Sequence, residues 1–399
     1  MIGLYKEKME KYIAIVCRGI YNYTIGGACR ITIRPKNNIG GKLMNAEQIK
    51  KLAYECGADL CGIASMDRFE GAPPEMDPRF IMPEAKSMIV MGFRVMRGSL
   101  RGIEEGTFFS NYAAMGYGGL TYMYIPMTVI NMCRVIEDQG YEAIPIGHQS
   151  DWRGIDNEGN RREHYSKPVE PGKPQPDIML HLRICAYLAG LGEIGYSKMF
   201  LTPEFGPRLR IGVILTEMEL EPDPIYNGPK LCNKCKACVR ECPGNAISGE
   251  KTVKVTLAGH EVEWGELDCD ACDIAFRGGE LCKDGEKGTY QEGRDDVKPG
   301  SHSPFYYKPA NLYNTGQAVC GAKGCTRACM ISMEKRGILT NKFHKPFRRK
   351  PLWSVDWSDY EALEGGNTAV SGLGAMAKVK AAPKDEQNEL SKKHEKEAD

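Results

Sequence analysis

The sequence predicts an α/β layer domain followed by an iron–sulfur module, and three observations carry the prediction. Apolar strand-like runs alternate with helical stripes from residue 45 to residue 225, the pattern of a sheet layered with helices. A Pro/Gly-rich hinge, EPDPIYNGPK, follows. The chain then enters LCNKCKACVRECPGNAI, where Cys232, Cys235, Cys238 and Cys242 stand at C-x2-C-x2-C-x3-C with Pro243 behind them.

The layer domain can be taken in order. Residues 1–44 show no clear period, end in NNIGGK and form an N-terminal extension with room for a small strand or hairpin. Asn45 can cap a helix, with Gln48 as its capping-box partner. Ile49, Leu52, Ala53 and Cys56 then share a face, and Gly57 supplies the stop. Residues 59–64 (DLCGIA) and 87–93 (SMIVMGF) read as buried strands. Between the second of these and the next helix lies NYAAMGYGGLTYMY. Its tyrosines, Tyr112 among them, suit either a cofactor wall or core packing. Ile125, Val129, Met132, Cys133 and Ile136 form a helical stripe that ends at Gly140. Residues 141–146 are another strand.

Residues 147–176 are polar and rich in loop formers, a length that often marks a lid or binding loop. Asp177 can cap a helix carrying Leu180, Ile184 and Leu188. The turn AGLGEIG contains Gly190, Gly192 and Gly195. It follows a helix, so it lacks the strand–turn–helix context of a dinucleotide fingerprint. Residues 211–216 complete the strands. The layer domain thus spans 45–226, the cluster module 227–345, and a Lys/Glu/Ala-rich C-terminal segment and unstructured tail 346–399.

The cysteine run defines the second module. Three thiolates within seven residues can reach one iron–sulfur cube, and the fourth points to a second cube. Zinc knuckles rarely use this triple spacing. A second set of ligands lies downstream in DCDAC (268–272) and CGAKGCTRAC (320–329). The crossing logic of two-cluster proteins places Cys232, Cys235, Cys238 and Cys329 on one [4Fe–4S] cluster. It places Cys242, Cys269, Cys320 and Cys325 on the other, with Cys272 and Cys282 competing for the place of Cys269.

Composition narrows the class. The chain has 399 residues and 16 cysteines, with 53 basic and 52 acidic residues. A net charge of +1 argues against a function dominated by nucleic acid. Cysteines at cluster-ligand spacing in a long chain indicate a reducing compartment, not disulfides. No run reaches the ~18 apolar residues of a membrane span. The N-terminus shows neither a twin-arginine pair nor a small-residue cleavage site, so a cytoplasmic location is expected.

The segment from Ala189 to Ala246, with AGLGEIGYSKMFLTPEFGPRLRIGVILTEMEL before the cysteine run, closely resembles corrinoid-dependent reductive dehalogenases. It resembles epoxyqueuosine reductases more distantly, through the AGLG turn and the two-cluster module. AYECGADLCGIASMDRF and QGYEAIP extend the resemblance over residues 45–330. It implies a nitroreductase-like α/β/α sandwich that binds base-off cobalamin, joined to a ferredoxin-like module with two [4Fe–4S] clusters. A small organic substrate with a reducible leaving group, and a low-potential donor such as ferredoxin or flavodoxin, follow from it.

The resemblance also implies roles for residues. Arg208 and Arg210 sit where dehalogenases place an arginine near the substrate. Asp177 lies within a residue of the acid of epoxyqueuosine reductases. His148, Asp151 and Tyr165 fall in the polar loop near the dehalogenase proton donor. Gly192, Gly195 and Gly206 would let backbone approach the corrin. Tyr196 stands where dehalogenases often carry arginine, and Met330, not proline, follows the last cysteine, so the substrate stays open. Two rivals remain: an epoxyqueuosine-reductase-like enzyme acting on a tRNA nucleoside, and a corrinoid-free electron-transfer adaptor.

Overall fold

The computed structural model describes residues 21–22, 34–35, 43–105, 107, 111–147, 167–176, 178–276, 323–347, 361–362 and 377–378. Its centre is a four-stranded sheet made from β1 (Leu60–Ser65), β2 (Ser87–Arg94), β3 (Ala143–Ile146) and β4 (Leu209–Thr216). The order is β1–β2–β4–β3 with every pairing antiparallel. Both faces are covered, which is why the strands read as continuous apolar runs rather than alternating ones.

Alternate residues feed two cores. Ile89, Met91 and Phe93 of β2 face one of them, together with α1 (Ala46–Glu55) and α2 (Ile125–Glu137). Met88 and Val90 face the other, with Val213 and Leu215 of β4 and α3 (Leu182–Leu188). The expected capping box is present: Asn45 accepts from the Gln48 N–H, and the Gln48 side chain accepts from the Asn45 N–H.

The helix that Asp177 was expected to cap begins instead at Leu182, with His181 at its N-cap position and no side-chain cap. Asp177 itself lies outside the described residues. The tyrosine-rich stretch Tyr112–Tyr124 is a π-helix that runs directly into α2, a form that gathers at functional sites.

Three helices carry Cys238, Cys269, Cys272, Cys325 and Cys329 of the second module, and Cys232, Cys235 and Cys242 lie on the chain beside the first of them. The helices are α4 (Ala237–Arg240), α5 (Cys269–Phe276) and α6 (Cys325–Arg336). Between α4 and α5 runs a hairpin of β5 (Ile247–Leu257) and β6 (His260–Leu267). Val262 and Trp264 of β6 join the α3-side core of the layer domain. The hairpin therefore clamps the cysteine module to the sheet.

In the flanking segments, Tyr21–Asn22 pairs with Arg34–Pro35. Glu361–Ala362 pairs with Ala377–Lys378, and the second of these lies in the tail, from Gly365 on, that was expected to lack structure. Among the described residues no helix is long and apolar enough to cross a membrane.

Candidate functional site

Cys232, Cys235 and Cys238 lie on a loop wound tightly by left-handed backbone at Lys234 and Lys236. The loop is fixed from outside. The Cys232 N–H donates to Glu193 Oε1, and the Tyr196 N–H donates to Cys232 Sγ at 3.3 Å. Arg240 Nη1 holds the Cys235 carbonyl at 2.9 Å.

Cys329 of α6 comes to this loop from 87 positions beyond Cys242 in the sequence. Burial pushes its thiol well above the ordinary range, and its neighbours Cys232, Cys238, Cys325 and Cys235 push it further. Cys235 sits lower than usual. Burial acts upward on it, but the Ala237 N–H, the Ser332 hydroxyl, Arg336 and Arg240 outweigh that. These four residues are the set expected for the first cluster.

A second set forms beside it. Burial raises Cys325 to about 12, and its charged-form neighbours are Cys272, Cys242 and Cys238. Burial also raises Cys242, opposed by the Ala246 and Gly244 N–H groups and reinforced by Cys272. Cys269 packs against the same apolar group, but its Sγ faces the Leu267 carbonyl at 3.9 Å. Cys272 faces Cys242 and Cys325. Cys320 and Cys282 lie outside the described residues.

Among the described residues, Cys232, Cys235, Cys238, Cys242, Cys272, Cys325 and Cys329 carry free thiols. Among the described residues no three His, Cys, Asp or Glu side chains gather closely enough for a single metal ion. A cube of iron and sulfide takes its thiolates at wider corners. The donor set is all sulfur, as such a cube requires.

A cavity of about 320 Å³ opens between α3, the turn at residues 68–73 and the hairpin. Phe69, Ile184, Leu188 and Leu257 give it apolar walls. His181, Lys198 and Trp264 also line it. The size and the mainly apolar lining are those of a small-molecule site.

No family model matches the chain. A 72-residue stretch is 44% identical to a tetrachloroethene reductive dehalogenase of Desulfitobacterium hafniense, covering 18% of this chain and 13% of that protein. A 62-residue stretch is 47% identical to the tetrachloroethene reductive dehalogenase of Sulfurospirillum multivorans, covering 15% and 12%. Another of 62 residues is 36% identical to an epoxyqueuosine reductase of Listeria monocytogenes, covering 16% of each. These stretches are similar to reductive dehalogenases and, at lower identity, to epoxyqueuosine reductases.

The matches span less than a fifth of these relatives. Two solved structures from these two families superpose loosely. The catabolic reductive dehalogenase NpRdhA aligns at 20% identity and a TM-score of 0.41, covering 82% of this chain and 44% of its own. The epoxyqueuosine reductase of Streptococcus thermophilus aligns at 18% and 0.35, covering 54% and 56%.

The other residues singled out in the sequence fall in several places. Arg208 is fully buried. Its Nη1 donates to the Val95 carbonyl at 2.8 Å and its Nη2 to Asn341 Oδ1 at 2.9 Å. Arg210 Nη2 donates to the Tyr112 hydroxyl at 3.2 Å and lies over the Tyr117 ring. Tyr112 thus belongs to the π-helix side of the sheet, with Tyr117, Tyr122 and Phe276 of α5.

The glycines serve close approaches within the chain. A Cβ on Gly192 would overlap the Leu201 carbonyl, and Gly195 abuts the Leu201 side chain. Gly206, at φ 59°, lies against Met333 of α6. His148, Asp151, Tyr165 and Asp177 lie outside the described residues.

Sequence reasoning missed His181, Lys198 and Trp264. Nothing in their spacing links them, because α3, a turn and a hairpin strand bring them together. It also missed Arg327, whose signal was its place between Cys325 and Cys329.

Proposed function

We propose that the chain is an iron–sulfur oxidoreductase that performs a reductive elimination on a small organic molecule, with dehalogenation as the leading reaction. Two [4Fe–4S] clusters would serve it. The first takes Cys232, Cys235, Cys238 and Cys329. The second takes Cys242, Cys272 and Cys325, with Cys320 as its fourth ligand. One observation supports this reading: α6 brings Cys325 and Cys329, one helical turn apart, among the other cysteines, with Cys325 influenced most by Cys272 and Cys242 and Cys329 most by Cys232 and Cys238. A structural zinc site would need only one such set.

The clusters supply single electrons at a potential set by burial and hydrogen bonds to sulfur. This chain provides both. The Tyr196 and Ala246 N–H groups donate to Cys232 and Cys242 Sγ, and apolar side chains pack around the thiols. A low-potential donor such as ferredoxin or flavodoxin would reload the clusters in a reducing, cytoplasmic setting.

A corrinoid is proposed on kinship alone. The 320 Å³ cavity suits a small molecule and is too small for a corrinoid.

The test is a metal and cofactor inventory of protein purified without oxygen and with a corrinoid supply. Eight iron and eight sulfide per chain are expected at full loading, roughly four of each per cube, with cobalt alongside. Clusters without cobalt, and no turnover of organohalides, would favour an electron-transfer adaptor. Salt-dependent binding of a tRNA stem-loop would favour the nucleoside enzyme. Zinc alone would end the proposal.

A further inference from the structure

The two thiol sets differ in how they meet solvent. Cys235 is exposed, Cys238 is buried, and Cys232, Cys329, Cys242, Cys272 and Cys325 lie between. Among the described residues, an electron arriving from outside therefore meets the first set at its Cys235 corner. Electron-transfer encounters between proteins use small interfaces, so the surface next to Cys235 decides which partner can approach.

That surface is cationic. The loop from Lys230 to Arg240 contains Lys230, Lys234, Lys236 and Arg240 and no Asp or Glu, and all four cations are exposed. Lys234 pairs with Glu263. Lys236 donates to the Gly249 carbonyl at 2.5 Å and its Nζ lies 5.6 Å from the Tyr196 ring centroid. Arg240 donates to the Cys235 carbonyl at 2.9 Å. Both spend their contacts on neutral groups and keep their charge uncompensated.

Helix α6 supplies the other side. Ser332 Oγ lies 3.6 Å from Cys235 Sγ. Lys335 and Arg336 follow three and four residues on, along the same side of the helix. Arg336 Nη2 donates to the Leu231 carbonyl at 2.5 Å. Lys335 is exposed on the rim of a groove of about 500 Å³ that also carries Lys342 and Lys345. The carboxylates bordering these segments are already engaged: Glu334 by Arg97, Glu241 by Arg327 and Glu263 by Lys234.

The whole chain carries a net charge of only +1, so this excess is local. A local cationic patch steers an anionic partner and raises its association rate. A nucleic acid is anionic too, but it brings no electron and gains nothing from an open thiol at the centre of the patch. An acidic redox protein uses both features.

We propose that the face around Cys235, ringed by Lys236, Arg240, Lys335 and Arg336, is the docking surface for a small acidic electron-carrier protein of the flavodoxin kind. This rests on the clusters of the function proposed above and not on the substrate assigned there. In each encounter the reduced flavin anion of the carrier gives up one electron, becoming the neutral radical with no proton moved, and one oxidised cluster takes that electron up.

The experiment mixes fully reduced flavodoxin with oxidised, cluster-loaded full-length protein in an anaerobic stopped-flow instrument and follows the flavin absorbance. The second-order rate should fall at least about tenfold as ionic strength rises from about 0.05 to about 0.5 M. Lys335→Glu, at a side chain with no contact to the loop, should slow it severalfold at low salt. Adding Lys236→Glu should bring the loss to at least about tenfold. Iron content should stay unchanged, and reduction by the methyl viologen radical cation should not slow. A rate indifferent to salt and to both reversals overturns the proposal, as does equal slowing with methyl viologen. So does a tRNA stem-loop whose binding the reversals abolish while flavodoxin is unaffected, which would give the face to nucleic acid. Fast, salt-dependent reduction without organohalide turnover counts against the proposed reaction alone. Turnover driven by methyl viologen with no flavodoxin encounter counts against this face alone.

Discussion

Arg327 and Glu104 face each other as a two-point ion pair sealed from solvent. Nη2 donates to Oε1 at 2.9 Å and Nε donates to Oε2, with both side chains nearly inaccessible. The remaining fork, Nη1, donates to Glu241 Oε2 at 2.9 Å. Arg327 sits between Cys325 and Cys329, Glu241 precedes Cys242, and Glu104 belongs to the turn Arg101–Glu105 of the layer domain. One planar cation therefore joins both thiol-bearing segments to the sheet domain, a task suited to arginine's rigid fork of donors.

Removing that cation takes a charge partner from two carboxylates, one of them deeply buried. Breaking a buried pair from one side costs about 3–5 kcal/mol. Arg327→Met should lower the anaerobic melting temperature of the loaded protein by several degrees and speed iron loss to a chelator. Adding Glu104→Gln should recover part of the loss, because the buried charge is then gone. Equal melting of Arg327→Met and wild type would show that the pair holds nothing together.

The second thiol set yields a contrast between two near neighbours. Cys272 faces Cys242 and Cys325, whereas Cys269 Sγ faces a carbonyl. Cys272→Ser should remove or convert one cluster, seen as changed low-temperature EPR and a fall of about half in iron, one cube of two. Cys269→Ser should keep both signals. The reverse pattern would return Cys269 to the ligand set that spacing alone first suggested.

Much of this was legible because local chemistry and tertiary role agree. Asn45 and Gln48 cap a helix with no help from distant residues. SMIVMGF could only be a strand covered on both faces, and the run from Cys232 to Cys242 constrains its own loop. The failures share one cause. His181 was hidden behind Asp177 as the presumed cap, and the cavity it lines with Lys198 and Trp264 joins residues far apart along the chain. The π-helix at Tyr112–Tyr124 leaves no residue signature, since its i→i+5 bonds shift which side chains share a face. Cys272 and Cys269 differ in direction alone, which spacing does not encode.

The exposed corner of the first thiol set gives a cleaner test of ligation than its buried members. Cys235 is solvent-exposed and contributes little packing, so Cys235→Ala should leave the fold intact. Iron should fall by about half, the share of one cube, and turnover should vanish while circular dichroism in the far ultraviolet stays unchanged. Full iron content in this variant would remove Cys235 from the cluster.

Arg208 separates a structural role from a catalytic one. Burial lowers its pKa to about 10, so the guanidinium stays charged at neutral pH. Its two Nη groups donate to the Val95 carbonyl and Asn341, and its Cζ lies 5.4 Å from the Phe343 ring centroid. These contacts pin the segment after α6 to the start of β4. Arg208→Leu orphans the Val95 carbonyl at this bond and should cost about 1–3 kcal/mol, read as a lower melting temperature with iron loosened because α6 is less well held. Arg208→Lys can restore one bond and should fall between. Nε has no partner among the described residues and is sealed from solvent. If Arg208→Leu melts like wild type while turnover collapses, the arginine acts on substrate as the family resemblance implied.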